Sequence, residues 1–181
     1  MIRRLFIAIA LLAFGVSAFA ALTTQQLQTL KTAINANPIW VAYPMTGDGY
    51  FDLAKVLNLQ ATPSFTVWKT NVSINAVGKA FNGTELAGLT TGNQTRLQTL
   101  ALYLASGVDP SNAGNRAFFD DVFSGAGGTN TRAALLALWK RFATSFEKIY
   151  ATGTGSDASP ATLVVEGAVT ASEVQAAREL P

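Results

Sequence analysis

The chain contains no cysteine and no histidine, and this absence restricts what can hold it folded. Disulfides need cysteine, and structural zinc sites are built mainly from cysteine and histidine, so neither can stabilise this fold. Burial of apolar side chains remains the main stabilising force, and 49% of the residues are hydrophobic. The same absence excludes thiol chemistry and histidine-based catalytic triads. We therefore predict a protein that is not an enzyme and has no catalytic residue, metal site or cofactor.

The first 20 residues have the layout of a secretory signal peptide. Arg3 and Arg4 form a short basic start, residues 5–16 are uncharged and apolar, and residues 17–20 supply small side chains for cleavage before Ala21. The apolar stretch is shorter than the roughly 20 residues of a membrane-spanning helix. Two explanations stay open: the protein is exported, or translation starts further downstream, near Ala21.

Residues 21–181 carry no net charge. Two of the 13 basic residues, Arg3 and Arg4, belong to the leader, so the rest of the chain has equal numbers of basic and acidic residues. A neutral domain lacks the basic surface that binds nucleic acid or anionic membranes. We predict one domain over residues 21–181 that binds neither nucleic acid nor a small-molecule substrate. Membrane association is expected only through an uncleaved leader.

Apolar residues recur at helical spacing in several segments. Thr23 and Gln26 form a capping box that starts a first helix, which ends at Asn37. Asp109 followed by Pro110 is typical of a helix start. Further helices are predicted over residues 50–57, 93–105 and 172–180.

The longest predicted helix begins at Thr129 or Asn130, one of which caps it, and runs to about Tyr150. At 100° per residue, its apolar side carries Leu135, Leu138, Trp139, Phe142, Phe146 and Ile149. We interpret it as the central helix of a single core. The predicted core residues are Leu97, Leu100, Leu104, Phe119, Val122, Leu135, Trp139, Phe142 and Phe146.

Residues 61–72 fit either a strand or a helix, because short apolar runs are ambiguous by periodicity. If a strand forms there, residues 66–69 are the natural hairpin partner of residues 163–165. The predicted fold class is mainly α: a single helical domain with at most one short β-hairpin, preceded by the signal-like apolar leader.

Ser145 and Lys148 match S-x-x-K, the nucleophile motif of serine β-lactamases and penicillin-binding proteins. The companion motifs S-D-N and K-T-G do not follow it, and the predicted position is near the middle of a long helix. Asp120 and Asp121 are adjacent carboxylates, but neighbours on a helix point about 100° apart and cannot share a proton. Neither pair is therefore predicted to be catalytic.

Trp40 and Tyr43 are the residues best suited to contact another protein chain. Most aromatic residues here fall on apolar helix faces, where core packing is the commoner role. Trp40 and Tyr43 instead lie in a predicted loop bounded by Pro38 and Pro44. Aromatic side chains at such positions often anchor protein–protein contacts. The alternative is that the two rings only cover the core.

Three phrases carry a resemblance to a known family. They are Pro-Ser-Phe-Thr-Val-Trp-Lys-Thr over residues 63–70, Trp-Lys-Arg-Phe-Ala-Thr over residues 139–144, and Ser-Pro-Ala-Thr-Leu-Val-Val-Glu-Gly over residues 159–167. In this order, across about residues 22–178, the chain resembles a family of small tailed-bacteriophage and prophage proteins of poorly defined role, encoded near virion structural genes. The resemblance implies a virion or morphogenesis protein of the neck, connector or tail region. It implies no active site.

Two function classes follow from these observations. The first is a non-enzymatic bacteriophage virion protein that assembles with other virion proteins or copies of itself, in the virion or host cytoplasm. A charged fraction of only 13% favours it, because surface with few charges suits permanent contacts. The second is an exported periplasmic binding or adaptor protein of a prophage-carrying bacterium. The leader favours the second class, because phage structural proteins assemble in the cytoplasm.

Overall fold

A computed structural model describes residues 21–103 and 106–181. It is mainly helical, as predicted, with two small two-stranded sheets. Within the described residues the helices are α1 (Thr24–Ala36), α2 (Pro38–Val41), α3 (Gly47–Leu57), α4 (Ile74–Ala80), α5 (Gly83–Ala87), α6 (Thr91–Tyr103), α7 (Ala113–Val122), α8 (Thr129–Leu138), α9 (Ser145–Ile149) and α10 (Ala171–Glu179). The strands are β1 (Thr66–Trp68), β2 (Lys140–Phe142), β3 (Ala151–Thr152) and β4 (Thr162–Leu163). The predicted leader and Leu104 lie outside the described residues.

Helix α1 begins where its sequence predicts. The Thr23 hydroxyl accepts from the Gln26 amide at 3.3 Å, and the Gln26 side chain accepts from the Thr23 amide at 2.8 Å. This capping box satisfies two backbone donors that a helix start leaves without partners. Leu30 and Ile34 are then fully buried on the inner face of the helix.

The apolar residues form three clusters, so the prediction of one core is wrong. The first cluster joins α1, α3, α9 and α10, and comprises Leu30, Ile34, Tyr50, Leu53, Ala54, Leu57, Phe146, Tyr150, Val169, Val174 and Ala177. The second is built mainly on α4, α7 and α8, and comprises Val72, Val77, Val108, Phe119, Val122, Phe123, Leu135 and Trp139. The third is small and comprises Val67, Ala143 and Ala161.

Four residues predicted for the core behave differently from the rest. Phe146 is buried in the first cluster, apart from Trp139 and Leu135 in the second. Leu97 and Leu100 are only partly buried against the second cluster. Phe142 is 55% exposed, so its assignment to the core is wrong.

The predicted long helix is also wrong, because the chain leaves the helix after Leu138 and forms β2. Strand β2 pairs antiparallel with β1, with Val67 opposite Arg141. This ladder provides hydrogen-bond partners for backbone groups of β1. A helix over residues 140–142 could not supply these partners, because its own backbone groups would bond within the helix. A capping box at Thr144 then starts α9, which reverses the chain toward the first cluster.

The β-hairpin prediction paired the wrong segments. Strand β1 pairs with β2. Strand β4 pairs with β3, and residues 153–161 form the loop between these two strands. Gly153, at φ 125°, helps to turn that loop in a conformation that other residues rarely adopt. Residues 66–69 meet this region through one parallel bridge, between Val67 and Ala161.

Two helix starts differ from their predictions. Helix α7 is capped by Asn112, because Asp109 instead accepts from the Ser111 amide at 2.8 Å and closes a turn before the helix. Helix α8 has no local side-chain cap. Its amides at Asn130 and Thr131 donate to the Glu85 carboxylate of α5, at 2.9 and 2.7 Å. The predicted cap at Thr129 or Asn130 is therefore replaced by a residue far away in sequence.

We expect Trp139→Ala to lower the free energy of unfolding by about 3–5 kcal/mol, because a large buried ring leaves a cavity. Trp139 is 3% exposed and packs edge-on against Phe119, with ring centroids 5.5 Å apart. Phe142→Ala is the matched control and should cost less than about 1 kcal/mol, because that ring is largely exposed. Denaturant unfolding measures both changes in the free energy of unfolding. Equal losses would contradict the assignment of Trp139 to the interior and Phe142 to the surface.

Candidate functional site

Trp40 and Tyr43 belong to residues 39–45, which we call the contact segment. Trp40 lies in α2, so the prediction that it occupies a loop is wrong. Pro38 at the first helical position and Asn37 as its cap form this short helix: the side-chain Oδ1 of Asn37 accepts from the Ile39 and Trp40 amides at 3.0 and 3.2 Å. The local signal, Asn followed by Pro, is visible in the sequence.

The other end of the contact segment is held by α10 and α3. The Arg178 guanidinium donates to the Tyr43 carbonyl at 2.9 Å and to the Val41 carbonyl at 3.3 Å. Gly49 brings the start of α3 against Pro44 so closely that a Cβ there would lie 2.1 Å from the Pro44 carbonyl oxygen. The Asn37 cap at one end, and Arg178 and the start of α3 at the other, therefore hold the backbone of the contact segment.

The most exposed side chains of the contact segment are aliphatic residues and Met45, not the two aromatic residues. Trp40 and Tyr43 are half-buried and pack against the first cluster. The exposed apolar side chains are their neighbours: Ile39 is 69% exposed, Met45 58%, and Val41 also projects into solvent. Sequence reasoning missed these residues because it ranked aromatic rings above aliphatic side chains.

A cleft of about 300 Å³ lies beside Trp40 and brings together two groups that the sequence analysis treated separately. Its lining includes Asn37, Trp40, Ser145 and Lys148. Ser145 is the first residue of α9 and not part of a long helix, so the S-x-x-K pair stands at a helix start. We call this the Trp40 cleft.

The S-x-x-K pair shows none of the geometry that activates a nucleophile. The Lys148 ammonium lies 5.4 Å from the centre of the Phe65 ring, an arrangement that stabilises a cation by contact with an aromatic face. Among the residues that the structure describes, no hydrogen bond joins the Ser145 hydroxyl to Lys148 or to any other base. An activated serine needs such a hydrogen bond.

Glu147, between Ser145 and Lys148 in sequence, is buried and fully paired. Arg141 donates to both of its carboxylate oxygens at 2.7 Å, and the amides of Thr144 and Gly167 donate at 3.0 and 3.1 Å. Burial opposes ionisation of Glu147, but these hydrogen bonds outweigh it and lower the pKa of the carboxyl below its ordinary value. Glu147 is therefore a structural anion.

The structure separates Asp120 from Asp121. The Asp121 carboxylate lies 2.7 Å from the Arg96 guanidinium, while Asp120 lines a different cavity between α7 and α8. In the described part of the chain, no three acidic side chains lie close enough to hold a metal ion. Over the same residues, no helix has the length and apolar character needed to cross a membrane.

No family model, curated protein or solved structure matches this chain.

We expect no covalent adduct when the purified protein is incubated with a β-lactam, because no base among the described residues is hydrogen-bonded to the Ser145 hydroxyl. Mass spectrometry of the intact protein measures the adduct, and Ser145→Ala is the matched control. Acylation of the original protein that is lost in Ser145→Ala would contradict this prediction.

Proposed function

We propose that the protein is a non-enzymatic bacteriophage virion or morphogenesis protein of the neck, connector or tail region. It acts through protein–protein assembly, with other virion proteins or copies of itself as partners. The observation that carries the proposal is the contact segment, a short stretch that exposes several large apolar side chains and is supported from both ends.

Three properties of the contact segment suit it to assembly. Ile39, Val41 and Met45 offer apolar surface whose removal from water favours association. Trp40 and Tyr43 stand behind them as large, half-buried rings of the kind that often anchors contacts. Because Asn37 and Arg178 hold the backbone, little conformational entropy is lost when a partner binds.

The wider composition supports the same function. Only 13% of the residues are charged, and a low charged fraction favours permanent protein–protein contacts. Phe51, on α3, is 63% exposed and lies a few residues after the contact segment. Contiguous patches of exposed apolar side chains often mark surfaces that another chain covers.

We expect the double substitution Ile39→Ser and Met45→Ser to reduce incorporation into particles, or self-association, by roughly tenfold or more. Both side chains are largely exposed, so the free energy of unfolding should change by less than about 0.5 kcal/mol each. Particle incorporation and sedimentation of the purified protein measure the first effect, and thermal unfolding measures the second.

Val164→Ser is the matched control, since Val164 is 73% exposed but follows β4, far along the chain from the contact segment. It should assemble normally. Replacing Trp40 and Tyr43 with alanine is the companion test of the aromatic pair and should weaken assembly more than folding. A purified protein that stays monomeric at high concentration and binds no neck, portal or tail protein would contradict the proposal.

A second candidate function, an exported periplasmic binding or adaptor protein, is favoured by the leader alone. Its basic start, apolar stretch and small residues before Ala21 are the features that export machinery reads. N-terminal sequencing of the protein from cells separates the two candidates. Export predicts a chain that begins at Ala21 in the periplasm, whereas assembly in the cytoplasm predicts that such a periplasmic form is not found.

A further inference from the structure

A cavity of about 380 Å³ opens between the end of β1 and helices α7 and α8. We call it the indole cavity; its lining includes Trp68, Trp139, Arg116, Arg132, Asp120 and Leu136. Its volume falls within the range of small-molecule binding sites, which combine apolar walls with a few convergent polar groups. It lies in the second cluster, whereas the contact segment packs on the first.

The two arginines of the indole cavity are held in place by backbone carbonyls. The Arg116 guanidinium donates to the carbonyls of Pro110 and Ser111 and lies over the Trp68 ring, 4.1 Å from its centre. The Arg132 guanidinium donates to the carbonyls of Phe123 and Gly125. Each side chain is thus oriented before any ligand arrives, which lowers the entropy cost of binding.

Both guanidinium groups keep binding capacity. Their backbone contacts all use Nη1, and an arginine carries five N–H donors. Within residues 21–103 and 106–181, no carboxylate lies within 4 Å of either group. Asp120 lines the cavity but is exposed and does not pair with them. Two arginines against one aspartate leave the cavity positive.

Trp139, one of the lining residues, also carries, within the described part of the chain, an unpaired donor beneath the cavity surface. The Nε1–H of Trp139 is buried and has no acceptor among the described residues. A buried donor without a partner is costly, and such groups in folded proteins often mark a bound acceptor. The Trp68 and Trp139 side chains, with Leu136, supply apolar lining beside the two arginines.

We propose that the indole cavity binds a small organic carboxylate, with the carboxylate at the guanidinium groups of Arg116 and Arg132 and an apolar body against the two indoles. Guanidinium groups bind carboxylates through paired, charge-assisted hydrogen bonds. The ligand is bound and not converted. The proposal is therefore compatible with the sequence-based prediction that the protein has no small-molecule substrate. It does not depend on the proposed assembly function.

Titration of the purified protein with sodium benzoate, followed by nuclear magnetic resonance of the indole N–H groups, tests the proposal. Benzoate should shift the signals of Trp68 and Trp139 saturably, while the Trp40 signal, from the other cluster, stays in place. Benzyl alcohol and benzylammonium, which keep the ring but lack the negative charge, should bind at least about tenfold more weakly.

Two pairs of variants locate the binding without removing either arginine. Leu136→Glu places a negative charge in the lining and should weaken benzoate binding by about tenfold or more, whereas Ala137→Glu, exposed on the same helix outside the lining, should not. Asp120→Asn removes a negative charge from the lining and should strengthen benzoate binding roughly threefold. Asp121 is paired with Arg96 outside the lining, so Asp121→Asn should leave benzoate binding unchanged.

The proposal is overturned if benzoate causes no saturable shift, or if benzyl alcohol binds as tightly as benzoate. It is also overturned if both members of a variant pair behave alike. Should Leu136→Glu fail to fold, the comparison of Asp120→Asn with Asp121→Asn decides the matter alone, because both side chains are on the surface.

Discussion

The ion pair between Arg141 and Glu147 joins β2 to α9, and Glu147 also accepts from the Gly167 amide in the segment after β4. Glu147 is 2% exposed, and a carboxylate buried to that degree must be paired and hydrogen-bonded to remain charged. Arg141 lies on β2 and also donates to Glu166 at 2.8 Å, while Glu166 accepts from the Thr70 hydroxyl after β1. Arg141 and its two carboxylate partners therefore link β2 with helix α9, the segment after β4 and the chain just after β1.

The strand that carries Arg141 lies, along the chain, between the elements that form the two candidate sites. Helix α8 ends in the second cluster and α9 begins in the first, so the strand that carries Arg141 is the passage from one cluster to the other. On the first side, α9 completes the Trp40 cleft behind the contact segment. On the second side, Trp68 at the end of β1 and Trp139 just before β2 form the walls of the indole cavity.

Local signals in the sequence predicted α1 well, and long-range contacts account for most of the errors. The periodicity from Leu135 to Ile149 indicated one helix, yet Thr144 and Glu147 have the spacing of a capping box, which marks a new helix start inside that stretch. The cap that Glu85 gives to α8 has no local signal, because the two segments meet only in the fold. Trp40 and Tyr43 were predicted as contact residues from the sequence, whereas the exposure of Ile39 depends on which side of α2 packs inward.

The coupling free energy between Arg141 and Glu147, from a double-mutant cycle of Arg141→Gln and Glu147→Gln, tests this account most directly. We expect about 2 kcal/mol of stabilising coupling at neutral pH. Because the pKa of Glu147 is lowered in the fold, this stability is present above the ordinary carboxyl pKa and is lost as the pH falls through the lowered value. Coupling below about 0.5 kcal/mol at neutral pH, or coupling that stays constant into acid, would contradict the central role of this pair.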